Sequence, residues 1–354
     1  MLAPEKIKGL HIEPSSRCNA RCPFCSRRQK VRPYGRHIIT LAEFRRLPAP
    51  MLSRLKWINY GGNFGDLCTN PDFPEIVGHV HALNADVVMG GDTNGGVQSE
   101  DWWAALGGAY GRGTLWFCID GLADTHARHR VGTDFRTVLR NAAAFIAAGG
   151  RAYWKFIVFR HNQHQIEAAG RLAREYGFLG FSAVVSRDYD DRHEPPDAFG
   201  VTVKRDLFKA LAADKTTARC KPFHKGSIFI AADGTVHPCC QAHIMYITEH
   251  NHRFRFIVPL VEKYLEDINF KTRPLAEILQ GPYFQSVLEQ AGPCEYCRIK
   301  CGGALQAVRR ELVVHQEVFT TSDGPLPNPA WTEAGASVRS TAVVCHWSGK
   351  AKKI

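Results

Sequence analysis

The sequence has no long hydrophobic run. No stretch approaches the roughly 18 consecutive apolar residues of a membrane span, and the opening MLAPEKIKGLHIEP lacks the apolar core of a secretory signal. A membrane role is thereby excluded, and the expected compartment is the cytoplasm. Internal repeats and low-complexity tracts are missing too. Negative charge is scarce: 34 Asp and Glu stand against 45 Lys and Arg, a net charge of +11. That balance suits an anionic partner. The basic residues are scattered, however, apart from RRQKVR and the terminal KAKK. No RNA-binding module or aromatic-interleaved basic run accompanies them. A nucleic-acid partner is therefore compatible with the composition but not favoured by it.

Cysteine is the residue present in excess, with 12 in 354 positions. In a reducing compartment, thiols in that number point to metal binding or catalysis rather than to disulfides. Cys18, Cys22 and Cys25 cluster early, and Cys220, Cys239, Cys240, Cys294, Cys297 and Cys301 cluster late. Cys68, Cys118 and Cys345 stand alone. The 45% hydrophobic content and the length suit one large domain with a smaller one.

Short β-branched or aromatic runs alternate with amphipathic stretches from Gly9 to about Gly180. Strands are expected at Leu10–Pro14, Trp57–Gly62, Asp86–Gly91, Leu115–Gly121, Tyr153–Phe159 and Phe181–Val185. Between them, TLAEFRRL begins with Thr40 and Glu43 in a capping-box spacing, and TDFRTVLRNAAAFIAAGG and HQIEAAGRLAREYGF carry helical periodicity. Six such alternations predict a parallel α/β sheet with right-handed crossovers, too few for a closed eight-fold barrel. Further on, IFIAADGTVHPCC reads as a hairpin turning at Asp233-Gly234, and RPLAEILQGPYFQSVLEQAG as helix.

The early cysteines follow directly on the first strand, in a loop at its carboxyl end, where parallel α/β proteins bind ligands. Structural zinc wants four protein ligands. Three thiolates instead fit an iron–sulfur cubane with one iron left open. The spacing Cys18-x3-Cys22-x2-Cys25, with Phe24 before the last cysteine, resembles the signature of the radical S-adenosylmethionine (SAM) enzymes. The resemblance extends over residues 8 to 187. YGGNFGD is similar to the family's Gly-Gly-Glu segment, with Asn63 in place of Glu, and GDTNGG is similar to its Thr-Asn-Gly turn. CIDGLADTH is similar to its Ser-Ile-Asp-Gly strand end, with Cys118 in place of Ser, and FRHNQHQ to a segment that supplies a basic contact to SAM.

This resemblance implies a partial (β/α)6 parallel barrel over residues 1–195. It implies a [4Fe-4S] cluster on Cys18, Cys22 and Cys25, with its fourth iron coordinated by SAM. Reductive cleavage of SAM would give a 5′-deoxyadenosyl radical that abstracts hydrogen from substrate. Gly61, Gly62, Asn63, Thr93, Asn94, Asp120, Arg160 and Asn162 become candidate SAM contacts, and Phe24 a wall of the adenine pocket. Cys68 becomes a candidate hydrogen-atom donor, with a small apolar loop residue as its plainer reading. His126 and Arg130 follow strand four closely enough to reach a substrate.

The late group, Cys220-x13-Gly234-x4-Cys239 followed by a helix and Cys294-x2-Cys297, resembles the SPASM/Twitch extension of some radical SAM enzymes. The longer run of a two-cluster SPASM domain is absent, so the one-cluster Twitch form is the expected one. The resemblance implies an auxiliary [4Fe-4S] cluster on Cys220, Cys239, Cys294 and Cys297, with Cys301 as a plausible substitute and Cys240 behind it. Zinc on the same four thiolates is the alternative. The expected organisation is a linker over 196–219, a small cysteine-rich α+β cluster domain over 220–305 and an appendage over 306–354. Partners implied by the family are a reduced flavodoxin or ferredoxin and a peptide, protein or small-molecule substrate. The first strand begins within ten residues of the start, which favours a small or directly docked substrate. The other readings are an RNA-modifying radical SAM enzyme and a non-catalytic zinc- or nucleic-acid-binding protein.

Overall fold

The computed structural model describes residues 3–186, 188–197, 220–249, 255–292, 294–301 and 313–319. Its centre is a run of six parallel strands in sequence order: β1 (Gly9–Ile12), β2 (Trp57–Tyr60), β3 (Val88–Thr93), β4 (Thr114–Cys118), β5 (Ala152–Val158) and β6 (Gly180–Val185). All six match the strands expected from composition, with ends shifted by up to three residues. Each crossover between them is long enough to carry helix, as a parallel pairing requires.

Local chemistry fixes the helices. Thr40 and Glu43 form the reciprocal capping box expected of them, at the start of Leu41–Phe44. Asp134 accepts from the Thr137 amide (2.8 Å) to begin Phe135–Ala147. That helix buries Val138, Leu139, Ala142 and Phe145. Full burial of such side chains is worth about 1.5–3 kcal/mol each for the larger ones. Gly149, at φ +93°, then lets the chain turn out of it. No described helix is long and apolar enough to cross a membrane.

The carboxyl-terminal part extends this sheet. β7 (Ser227–Ile230) pairs parallel with β1, Gly9 opposite Ser227, and turns at Gly234 (φ +99°) into antiparallel β8 (Val236–His237). On the far edge β9 (Val313–Val318) pairs antiparallel with β6. The nine strands run β8-β7-β1-β2-β3-β4-β5-β6-β9. The cysteine-rich segment therefore shares the barrel's sheet through β1, and part of the expected appendage covers the β6 edge. The expected linker lies outside the described residues beyond residue 197, as does Cys345.

Candidate active site at the carboxyl ends of the strands

The loops leaving β1 to β6 gather at one end of the barrel, where strand-end residues of parallel folds do chemistry. The cysteine loop after β1 is tied down by backbone contacts. Asp66 N donates to Arg17 O (2.8 Å), Arg21 N to Val131 O (2.7 Å) and Thr69 Oγ1 to Arg17 O (2.8 Å). Arg27 Nη1 donates to Cys18 O (2.9 Å). Cys18, Cys22 and Cys25 are all free thiols and half-buried. Asn94 Nδ2 lies 3.5 Å from Cys18 Sγ, and Arg130 Nη1 lies 3.9 Å from Cys22 Sγ. Burial, reinforced by Asp66, pushes the Cys18 thiol up to about 12, and burial raises Cys22 as well. Thiols this reluctant to ionise alone are ones that a bound cation would deprotonate. Three of them on one loop, flanked by an amide and a guanidinium, fit the open-iron cluster.

The segment after β2 is pressed against the exit of β1. Gly61 O accepts from His11 Nε2 (2.7 Å), and a Cβ on Gly62 would lie 2.4 Å from Glu13 Oε1. Glu13 in turn accepts from the amides of Phe64 (2.7 Å) and Gly65 (3.0 Å). Burial nevertheless pushes its carboxyl up to about 7. Asn63 turns its side chain to the cysteine-rich segment. Its Nδ2 donates to Cys240 O (2.9 Å) and lies 3.3 Å from His243 Nδ1. Asn63 thus joins the two cysteine regions through its side-chain amide.

Asp66, which ends the GGNFGD segment, is a hub that sequence reasoning missed. It accepts from Thr93 Oγ1 (2.7 Å), Asn94 N (2.7 Å), Asn94 Nδ2 (2.8 Å) and Cys68 N (3.2 Å). An acidic residue closing a Gly-rich strand end was the available signal. Through Asp66, Thr93 and Asn94 are held beside Cys18.

Asp120 is fully buried. It accepts from Ile157 N (2.7 Å) and His129 Nδ1 (2.7 Å) and pairs with Arg130 Nε. Although burial opposes it, the Arg130 guanidinium and the His129 hydrogen bond hold this carboxyl well below the usual range. Asp120 thereby fixes Arg130, whose Nη1 lies 3.9 Å from Cys22 Sγ. His126 is also buried, with its Nε2 at Thr133 Oγ1 (2.8 Å).

Three of the candidate residues are engaged within the protein. Cys68 is 0% exposed in the 3-10 turn Leu67–Thr69, its thiol raised by burial and by Asp66, so it does not face an open site. Asn162 is fully buried and braces its own loop, donating to Asp120 O (3.1 Å) and Ile157 O (3.0 Å). Arg160 points to the loop after β6, pairing with Glu194 and with Asp197 (2.8 Å). Phe24 lies in an aromatic group with His193 (5.4 Å), His129 (6.3 Å) and Phe159 (6.4 Å).

The late cysteines converge. After burial, Cys240 and Cys220 are the strongest influences raising the Cys239 thiol, with Cys301 also in range. Burial pushes Cys220 up to about 11, with Cys301 adding to it. A hydrogen bond between Cys294 and Cys297 lowers Cys294 to about 7 and raises Cys297, which also feels Cys239 and Cys301. Cys220 precedes β7, Cys239 follows β8, and the helix Glu295–Cys301 brings the rest. Among the described residues, no three His, Cys, Asp or Glu side chains close on a single ion.

Comparison with known proteins agrees with this fold. The SPASM family, an iron–sulfur cluster-binding domain, matches residues 220–302. No curated protein sequence matches the chain. Streptococcus suis SuiB bound to S-adenosylmethionine superposes with a TM-score of 0.54 at 13% identity, covering 85% of this chain and 74% of SuiB. SuiB bound to the precursor peptide SuiA gives a TM-score of 0.54 at 13% identity, over 90% of this chain and 76% of SuiB. The chain shares the SuiB fold, a partial α/β barrel, and its residues 220–302 match the SPASM iron–sulfur cluster-binding domain.

Proposed function

We propose that this protein is a radical SAM enzyme with one auxiliary iron–sulfur cluster. The observation that carries the reading is the placement of three thiols, the Asn94 amide and the Arg130 guanidinium at the mouth of a six-stranded parallel barrel. Cys18, Cys22 and Cys25 would hold the [4Fe-4S] cluster. When bound, cluster and SAM together supply a 5′-deoxyadenosyl radical able to take hydrogen from an unactivated C–H bond.

The chain's own residues position and exclude. The backbone of Gly61, Gly62 and Asn63 offers polar groups to the methionine end of SAM. Thr93 and Asn94, fixed by Asp66, hold the opposite side of the cysteine loop, and Arg130 presents fixed positive charge beside Cys22. Phe24 offers an aromatic face to adenine. Inside the barrel, Asp92 and Lys155 pair at 3.0 Å, with Cys118 Sγ 3.7 Å from Asp92 Oδ1. They give the lumen a polar floor for substrate. Cys220, Cys239, Cys294 and Cys297, with Cys301 beside them, would hold the auxiliary cluster. A reduced flavodoxin or ferredoxin would supply electrons. The substrate we favour is a peptide or protein segment; SuiB, of similar fold, binds the precursor peptide SuiA.

Iron and acid-labile sulfide content tests the cluster assignment. The reconstituted protein is expected to carry roughly eight of each per chain. A Cys18→Ala/Cys22→Ala/Cys25→Ala variant should carry about four, as should a Cys220→Ala/Cys239→Ala/Cys294→Ala/Cys297→Ala variant. Zinc without sulfide at the second site would contradict the auxiliary-cluster reading.

A further inference from the structure

A cavity of about 930 Å³ opens beside the cysteine loop, above the ends of β4 to β6. None of Gly61, Gly62, Asn63, Thr93 or Asn94 lines it; Pro23, next to Phe24, and His193, 5.4 Å from the Phe24 ring, do, so it adjoins the face assigned to adenine and lies away from the methionine end of SAM. One wall is basic. Arg21 and Arg28 come from the cysteine loop and Arg128 from the turn after β4. All three are exposed, and none has an ion-pair partner among the described residues. The other wall is the loop after β6, bearing Asp190, Asp191 and Glu194 and also Arg192, which is exposed and has no ion-pair partner among the described residues. Asp190 is taken up by His193 (2.9 Å), and Glu194 by Arg160. His161, also in the lining, has both ring nitrogens buried without a hydrogen-bond partner.

Three unpaired guanidiniums on one wall, with that of Arg192 opposite, repel one another and are stabilised by an anion. Their spread over two loops, and a volume near the upper end of ligand pockets, suit several separated charges better than one compact phosphate. The facing carboxylate of Asp191 suits a ligand that also carries N–H donors.

We infer that this cavity is a recognition site for an acidic peptide segment, whose carboxylates pair with Arg21, Arg28 and Arg128. The inference rests on the peptide reading of the substrate and names its chemistry: glutamate- or aspartate-rich sequence flanking the residue that is modified. Bound there, the segment would lie against the cysteine loop, with the barrel lumen next to it.

The test is fluorescence anisotropy of fluorescein-labelled hexaglutamate with the reconstituted protein at low salt, with hexaglutamine as the neutral comparison. Hexaglutamate is expected to bind, and to weaken as salt rises. Arg28→Gln/Arg128→Gln should weaken it about tenfold or more. Arg45→Gln/Arg46→Gln, which removes the same charge from an exposed turn elsewhere, should leave it within about twofold. Equal losses in the two variants would overturn the site, as would hexaglutamine binding equally well. Tighter competition by inorganic pyrophosphate than by unlabelled hexaglutamate would overturn the peptide assignment in favour of a phosphorylated ligand. Displacement by an acidic flavodoxin but not by free hexaglutamate would make the face an electron-donor dock and overturn it too. Far-UV circular dichroism and iron content confirm that each variant is folded and loaded. SAM cleavage is measured separately, so failure of the enzyme reading and failure of this site give different results.

Discussion

Replacing Asp120 by Asn destabilises the protein by about 3–5 kcal/mol, the cost of breaking a buried ion pair from one side. Asp120 is fully buried, and it is the ion-pair partner of Arg130 among the described residues. Asparagine can keep one acceptor for Ile157 N, but it leaves the Arg130 charge without its counterion. The guanidinium then has reason to leave its place 3.9 Å from Cys22 Sγ. Denaturant melts should show the loss in midpoint, and SAM cleavage should fall even in the fraction that remains folded. A midpoint within about 1 kcal/mol of wild type, with cleavage intact, would mean that Asp120 neither stabilises nor aims Arg130.

Gly65→Ala is the second large effect. A Cβ built there lies 1.7 Å from Ser15 O and 2.4 Å from Ser15 C, both backbone atoms that cannot rotate away. The loop after β2 must therefore part from the exit of β1. The Asp66 N to Arg17 O bond (2.8 Å) goes with it, together with the hub that places Thr93 and Asn94. Overpacking of this kind costs about 1–3 kcal/mol. Affinity for SAM, measured by calorimetry on the reconstituted protein, should fall at least about tenfold. Gly78→Ala is the matching control. It lies inside the helix Phe73–Leu83 with nothing within 4 Å of the added carbon, so helix propensity should stabilise it by up to about 1 kcal/mol. Equal SAM affinity in the two variants would break the link between the two loops.

The parts of this architecture written in local chemistry were legible from residues alone. Thr40 and Glu43 sit three apart, and the capping box they announce forms. The six strands announce themselves through runs such as WINY and FSAVV, and the cysteine spacing marks the mouth. Long-range pairing was not legible. Nothing in SIFI says that it will add to β1 in parallel, or in VVHQEV that it will close the β6 edge, because register depends on partners far along the chain. Side-chain direction was equally hidden. Asn63 lies within a recognised segment yet reaches Cys240 and His243 across 177 and 180 residues of sequence. Cys68 sits near the mouth in sequence, but the 3-10 turn that carries it faces the core. Asp66 was within a quoted motif, and its role emerges only when the loops after β2 and β3 meet.

These placements join the two cysteine regions more closely than separate domains would be joined. β7 lies beside β1, and Asn63 bonds to the carbonyl of Cys240. The late cysteine segment therefore has a short covalent and hydrogen-bonded path to the loop after β2.

The central claim is tested most directly by 5′-deoxyadenosine formation under anaerobic conditions, after reconstitution with iron and sulfide and with SAM and dithionite supplied. The account predicts formation by the wild-type protein and none above background by the Cys18→Ala/Cys22→Ala/Cys25→Ala variant. Formation at equal rates by both, or by neither when the wild-type protein is fully loaded with iron and sulfide, would contradict it.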